Sequence, residues 1–398
     1  MKAIYAKRII TPTEEKAGYL LLRDGKITDI VDEFEGEYED YSDAIIMPGF
    51  IDQHTHGWGR GSILYENDRA CLEMMIADQA KEGVTGFLAT SFTDDLDSIL
   101  KSIHHANELY GKQPKGTKLL GVHLEGPFIN PTYKGAQKEE YCMVPDLNVM
   151  KRFYEAQEDP TMIKLITLAP ELDHAKEVID FCLAHGIQVA AGHTGATFEE
   201  MMQAQKDGVG GVTHMFSAMT GLHHRKPGVA GAALYNPHLM CEFAKQTGIT
   251  VRHEVFNIVF RIKGAQGIIL CTDCLGNGKQ KEPYYHATRN VHFIPQGDQL
   301  IERDASGNEK IYDLNDYESL RHIELSYLGS VKNLLQHTPM SFQELALITA
   351  TNSANYIGIG DRKGSIEAGK DADFTIITPE IDLLATVVEG EFVYRNER

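Results

Sequence analysis

Between Pro48 and about Leu275, apolar strand-like runs alternate with helical patterns, and this alternation restricts the fold more than any other feature of the chain. The runs end near His56, Phe92, Glu125, Glu171, His193, His214, Thr250 and Asp273, and the spacers include amphipathic stretches from Asp68 to Glu82 and from Asp173 to His185. Strands that alternate with helices form parallel sheets, because each helix carries the chain back to start the next strand in the same direction. Eight such runs predict an α/β fold, a TIM-type (β/α)8 barrel, in which functional groups gather at the C-terminal ends of the strands. The seventh run, Met240 to Thr250, has the least regular pattern.

The two ends of the chain read differently. From Lys2 to about Ile46 there are short strands broken by turns, with Arg23-Asp24-Gly25-Lys26 as a hairpin signal, and β-rich pieces recur around Asp373–Ile377 and Ala385–Tyr394. Residues 1–47 and 361–398 are therefore expected to build one small β-sandwich domain around a barrel of residues 48–360. A polar stretch from Gly276 to Tyr317 is too long for an ordinary connection, and a hairpin insertion or an active-site lid is expected there.

Composition excludes several classes of function. A formal charge of -19 argues against a nucleic-acid surface, which needs clustered Lys and Arg. No apolar stretch is long enough to cross a bilayer, and the basic start leads into an alternating strand rather than a signal peptide, so a cytoplasmic protein is expected. The six cysteines are scattered except for Cys271 and Cys274. That CxxC has no second pair to complete a structural zinc site and no thioredoxin-like surroundings, so both are read as reduced wall residues.

Five of the eight expected strand ends carry a metal-capable residue: His54 with His56, then Glu125, His193, His214 and Asp273. Alternation along a strand puts His54 and His56 on one side, where both imidazoles can reach one ion. Each residue alone has an ordinary explanation, as a polar loop pair, a turn carboxylate or a core histidine. Chance would scatter them over both ends of a barrel, whereas here they share one end. Mixed imidazole and carboxylate ligands suit zinc or ferrous iron, with manganese also compatible.

The chain resembles the amidohydrolase superfamily and, within it, the N-acetylglucosamine-6-phosphate deacetylases. The resemblance is carried by Pro48–Gly57 (PGFIDQHTHG), Gly121–Phe128 (GVHLEGPF), Ala191–Thr197 (AGHTGAT), Thr213–Met219 (THMFSAM), His223–Gly228 (HHRKPG), Thr272-Asp273 and Lys363–Asp373 (KGSIEAGKDAD). It implies a metal-dependent hydrolase of linear amide bonds that deacetylates an N-acetyl amino-sugar 6-phosphate, with N-acetylglucosamine 6-phosphate as first candidate. Glu125 matches the bridging position, and with His54 and His56 present the resemblance implies two divalent ions. Asp273 matches the family's acid/base aspartate, and His224 and Arg225 match its phosphate-binding pair. A homodimer is implied as well, because the family often completes this pocket from a neighbouring subunit.

The departures gather on the substrate side. The family's Lys-Gly-Ala-His becomes Lys134-Gly135-Ala136-Gln137, its Phe-Asn-Ala-Met becomes Phe216-Ser217-Ala218-Met219, and its Asp-Gly-Ile-His becomes Thr247-Gly248-Ile249-Thr250. Gln137, Ser217, Ala218 and Thr250 are thus the expected substrate contacts, with Arg252 or His253 as stand-ins for the missing histidine. The Leu-Ala-Gly-Ser after the eighth strand is altered to Ser326-Tyr327-Leu328-Gly329-Ser330. Two other functions stay open at this point: a related binuclear amidohydrolase acting on another acylated sugar or amino acid, and a binding protein with a vestigial site.

Overall fold

The computed structural model describes residues 1–286 and 289–396. Eight parallel strands follow one another in chain order: Phe50–Thr55, Val84–Ser91, Lys118–Glu125, Ile163–Leu168, Gln188–Ala191, Gly211–Val212, Met240–Ala244 and Ile268–Cys271. Backbone and side-chain bonds bring the eighth back to the first. The Asp273 N–H donates to the His54 carbonyl at 2.7 Å, and the Asp52 carboxylate accepts from the Thr272 N–H at 3.0 Å and its hydroxyl at 2.6 Å. The fold is an α/β barrel of the (β/α)8 type, with further sheet structure from the chain ends.

Alternation along the strands explains why these segments read as continuous apolar runs. Phe87 and Ala89 face the surrounding helices, whereas Leu88 points into the barrel and joins Ile51, Leu120, Leu165 and Ala190. Ala354, Ile357 and Ile359 pack on that inner cluster. The polar side chains lie at the opposite, C-terminal ends of the strands. The two amphipathic patterns become the helices Arg69–Gln79, extended by a 3₁₀ turn over Ala80–Glu82, and Ala175–Ala184.

The two chain ends share one eight-stranded sheet. Its order runs Glu391–Arg395, Leu383–Val388, Phe374–Ile377, Ile45–Pro48, Lys2–Ile10, Glu15–Arg23 and Lys26–Val31, with Glu39–Asp40 beside Lys2–Ile10. Ile4, Leu20, Ile27 and Ile46 from the first part form one core with Phe374 and Val387 from the last. Ile45 and Met47, pointing the other way from Ile46, belong to the barrel's core instead. The Lys363–Asp373 motif rivets this junction. Buried Lys363 pairs with Asp371 at 2.9 Å and with Asp373, and the Asp373 carbonyl accepts from the Gly49 N–H at 3.1 Å.

Two elements differ from the sequence expectation. The seventh strand ends at Ala244, because Lys245 takes a left-handed φ of 46° and the Thr250 hydroxyl donates to the carbonyls of Ala244 and Lys245 at 3.0 and 2.7 Å, closing the stretch into a loop. The polar insertion is larger than a hairpin. Tyr284–His286, Val291–Gln296, Gln299–Asp304 and Glu309–Asp313 form a four-stranded antiparallel sheet, followed by the helix Tyr317–Glu324. Val291, Phe293, Leu300, Tyr312 and Ile323 make its small core. With one apolar face only, each of these strands looks polar in sequence. Among the described residues no helix is long and apolar enough to cross a membrane.

Candidate metal centre

All six residues expected at the metal centre meet at the C-terminal mouth of the barrel. Glu125, the last residue of the third strand, is their hub. Its Oε1 lies 3.3 Å from His54 Nε2, 3.2 Å from His193 Nε2 and 3.1 Å from His214 Nε2, while its Oε2 lies 3.2 Å from His56 Nε2. Asp273 Oδ1 sits 3.6 Å from His54 Nε2 and 3.4 Å from His56 Nε2. His54–His56–Glu125 and Glu125–His193–His214 are thus two groups able to hold a metal ion, and they share the glutamate.

The backbone at these positions is bent to reach inward. His193, His214 and Asp273 follow their strands by two residues and take positive φ values of 49°, 34° and 49°, a conformation that non-glycine residues adopt at a cost. Gly126, at φ 85°, makes the turn after Glu125, where a Cβ would lie 2.1 Å from the Thr93 hydroxyl. Glu171 braces the loop bearing His193, accepting from the Thr194 hydroxyl and the Gly195 N–H, both at 2.5 Å.

Whether a cation fits here can be judged from the rings themselves. His54 Nδ1 faces Glu242 Oε1 at 2.9 Å, His56 Nδ1 faces the Thr90 carbonyl at 3.1 Å and His193 Nδ1 faces the Tyr133 carbonyl at 3.0 Å. Each of these acceptors requires a proton on Nδ1, which leaves a lone pair on Nε2 of the neutral ring. Those lone pairs point at the Glu125 carboxylate, and among the described residues the buried Nε2 atoms of His54 and His56 have no hydrogen-bond partner. Acceptors facing acceptors in a buried site are stable around a positive charge. The same demand acts on proton affinity: burial lowers it for His54, but Glu125, Glu242 and Asp273 push the ring well above its ordinary value. Burial likewise opposes ionisation of Asp273, yet His54, His56 and Lys245 hold it well below the usual carboxylate range.

Residues 45–393 match the Amidohydrolase family. The chain belongs to that family. The N-acetylglucosamine-6-phosphate deacetylase of Bacillus subtilis (strain 168) is 32% identical over 395 residues, covering 97% of this chain and 95% of the relative. That likeness assigns this amidohydrolase to the N-acetylglucosamine-6-phosphate deacetylase group, and it is a hydrolase of amide bonds. Two solved deacetylases of the same name share its architecture. The Thermotoga maritima structure is 28% identical with a TM-score of 0.78, covering 100% of this chain and 99% of the other; the Pasteurella multocida structure is 25% identical with a TM-score of 0.83, covering 99% and 100%.

The expected substrate contacts of this amidohydrolase do not all meet the centre. Gln137 is buried and its amide donates to Glu125 Oε2 while its carbonyl accepts from the Thr93 N–H at 2.7 Å, so both ends are engaged within the protein. Ser217 is exposed, and Ala218 lies near His193, across Gly135. Thr250 spends its hydroxyl on the backbone of its own loop. Arg252 pairs with Glu254 at 3.0 Å, and the His253 ring stacks on His337 with centroids 3.7 Å apart; among the described residues neither bonds to the six central groups. His224 and Arg225 project into solvent from a turn closed by His223 and Lys226, and among the described residues they make no hydrogen bond or ion pair with the six central groups.

Three residues of the site escaped the sequence reading. Glu242, on the seventh strand, accepts from the His54 ring and the Gln53 amide; burial opposes its ionisation, but these two outweigh it and lower its pKa to about 2. Lys245 donates to the Asp273 carbonyl at 2.7 Å. His123 stands beside His54, with ring centroids 4.6 Å apart, and burial drops its pKa to about 3, so it is a neutral neighbour. The visible signal for Glu242 was a carboxylate inside the apolar run Met240-Cys241-Glu242-Phe243-Ala244. Cys271 and Cys274 are free and buried, as wall residues are.

Proposed function

We propose that this amidohydrolase removes the acetyl group from N-acetylglucosamine 6-phosphate, giving the amino-sugar phosphate and acetate. The observation that carries the reading is the Glu125 carboxylate shared by two imidazole pairs with Asp273 beside it. His54, His56, Glu125 and Asp273 would hold one divalent ion, and Glu125, His193 and His214 a second, with zinc, ferrous iron or manganese compatible with such donors. Ions bound there acidify water and polarise an amide carbonyl. Asp273, ionised and partly open to solvent, takes the proton from the attacking water as the carbon–oxygen bond forms. It returns that proton to the sugar nitrogen as the carbon–nitrogen bond breaks, so acetate and the free amine leave with no net change in the enzyme.

The sugar lies toward Ser217 and Ala218. His224 and Arg225, exposed and unbonded to the six central groups among the described residues, bind the phosphate across the interface of a homodimer. The relatives named above are deacetylases of this substrate, and the enzyme acts in the cytoplasm. A second reading keeps the hydrolysis and changes the acylated substrate. It is favoured by Gln137, which is tied to Glu125 rather than free to meet a sugar.

Acetate release from the N-acetylated 6-phosphates of glucosamine, galactosamine and mannosamine, and from their phosphate-free analogues, tests both readings on one preparation of known metal content. Turnover of the glucosamine compound that disappears on chelation and falls about 10²- to 10⁴-fold in Asp273→Asn is expected. A metal-loaded protein that turns over none of the panel rejects the substrate, and turnover independent of metal rejects the centre.

A further inference from the structure

We propose that Glu242 is a positioning residue that fixes the His54 ring and thereby sets the ion affinity of the His54–His56 side of the centre. This rests on the reading of the site as a two-ion centre.

The seventh strand is enclosed between barrel and helices, and its other central residues are apolar. Glu242 is 4% exposed there. Every oxygen is engaged: Oε1 accepts from His54 Nδ1 at 2.9 Å and from the backbone N–H of His214 at 3.1 Å, and Oε2 accepts from the Gln53 amide at 2.7 Å. An ionised carboxylate can only accept, so the ring proton of His54 must sit on Nδ1 and its lone pair on Nε2, the atom facing Glu125 and Asp273. Glu242 therefore selects the one tautomer of His54 that can ligate, and holds the ring in the orientation that does so.

The charge of Glu242 points the same way. A buried carboxylate needs a compensating cation, and among the described residues no lysine or arginine pairs with it. The nearest place for one is on the far side of His54. A carboxylate behind a ligating imidazole makes the ring a stronger donor. Cys271 also approaches His54 and Glu242, and these three could be taken for a further ion group. That alternative fails on valence: a neutral ring has one lone pair, and here Nδ1 carries the hydrogen.

Because Glu242 touches His54 through the side chain but His214 only through its backbone, its removal should act unequally on the two ions. Glu242→Gln keeps an oxygen for both donors and removes the charge; the Gln53 carbonyl oxygen, which has no partner among the described residues, can turn to meet the new amide. Glu242→Leu removes both charge and acceptor. Apo-protein of the wild type and both variants, checked for fold by circular dichroism, is titrated with zinc against a fluorescent chelator. The expected result is two zinc ions in the wild type, one of them weakened about 10- to 100-fold in Glu242→Gln and the other nearly unchanged. Added to a His56→Asn background, Glu242→Gln should cause little further loss, since both act on the same ion. Retention of both zinc ions at wild-type affinity in Glu242→Gln and Glu242→Leu overturns the proposal, as does selective loss of the ion that survives in His56→Asn. A wild type that binds no zinc overturns the two-ion reading with it. Turnover is not measured, so the substrate assignment stands or falls separately.

Discussion

Replacing Gln137 by leucine distinguishes two roles for a residue that sequence alone assigns to the substrate. In the structure the Gln137 amide donates to the Glu125 carboxylate, and its carbonyl accepts from the buried Thr93 N–H at 2.7 Å. Leucine fills similar volume but offers neither group. Leaving the Thr93 N–H unpaired costs about 1–3 kcal/mol of stability, a loss present with or without metal. Removing a hydrogen bond to the charged Glu125 costs about 1.5–3 kcal/mol in how firmly that carboxylate is held. Since about 1.4 kcal/mol is tenfold in an equilibrium constant, ion affinity should fall roughly ten- to a hundredfold. Zinc titration of the apo-protein and thermal unfolding of the same sample, both without substrate, provide the measurement. Gln137→His, which restores a ring N–H, should fall between wild type and Gln137→Leu. If zinc affinity stays within about twofold and apo-protein Tm is unchanged in Gln137→Leu, while kcat or KM shifts, the bracing argument is wrong and the residue serves the substrate.

Other outcomes follow from particular contacts. Arg225→Ala should raise KM for the phosphorylated substrate about tenfold or more, the worth of a charge-assisted bond, and leave phosphate-free analogues unaffected; equal effects on both would dismiss phosphate recognition. Phe293, fully buried in the insertion's core, should cost about 3–5 kcal/mol when changed to alanine. Amide exchange should then accelerate across 291–304 and not in the barrel strands, and uniform acceleration would contradict an independent insertion core. Burial raises the pKa of Asp78, but Arg60 and Lys81 outweigh it and lower the group below its ordinary value. Its stabilising contribution is therefore complete above about pH 4 and is lost as the pH falls through the depressed folded value. Asp78→Asn should be less stable than wild type at pH 7, with the gap in Tm closing in acid; a gap that widens in acid has the wrong sign for this linkage.

The barrel and the six residues gathered at its mouth were readable because each depends on a local pattern. Runs such as Val84–Ser91 are buried throughout and carry no charged residue, and His54, Glu125 and His193 sit where those runs stop. What could not be read depends on contacts between distant segments. Gln137 looks like a substrate residue until Glu125 and Thr93 are seen to occupy both ends of its amide. Thr250 continues a plausible strand until its hydroxyl is found on the carbonyls of Ala244 and Lys245. Glu242 was visible as a charge in an apolar run, but its meaning lies in His54, a strand on the other side of the barrel's closure. The insertion read as no more than a hairpin or a lid because Phe293 and Leu300 alternate with polar neighbours and find their partners only across strands.

The strand Ile45–Pro48 leads directly into the one bearing His54, and it is sandwiched between Lys2–Ile10 and Phe374–Ile377, where Pro48 pairs with Phe374. A ribosome delivers these neighbours at very different times. The early strands emerge before any of the barrel, whereas Phe374–Ile377 follows the whole of it. Until then one flank of Ile45–Pro48 is an open edge, the sort that recruits strands from other chains. The strand that leads into His54 is therefore anchored on one side only throughout synthesis of the barrel, and chains truncated before Phe374 should aggregate even with every group of the centre already made.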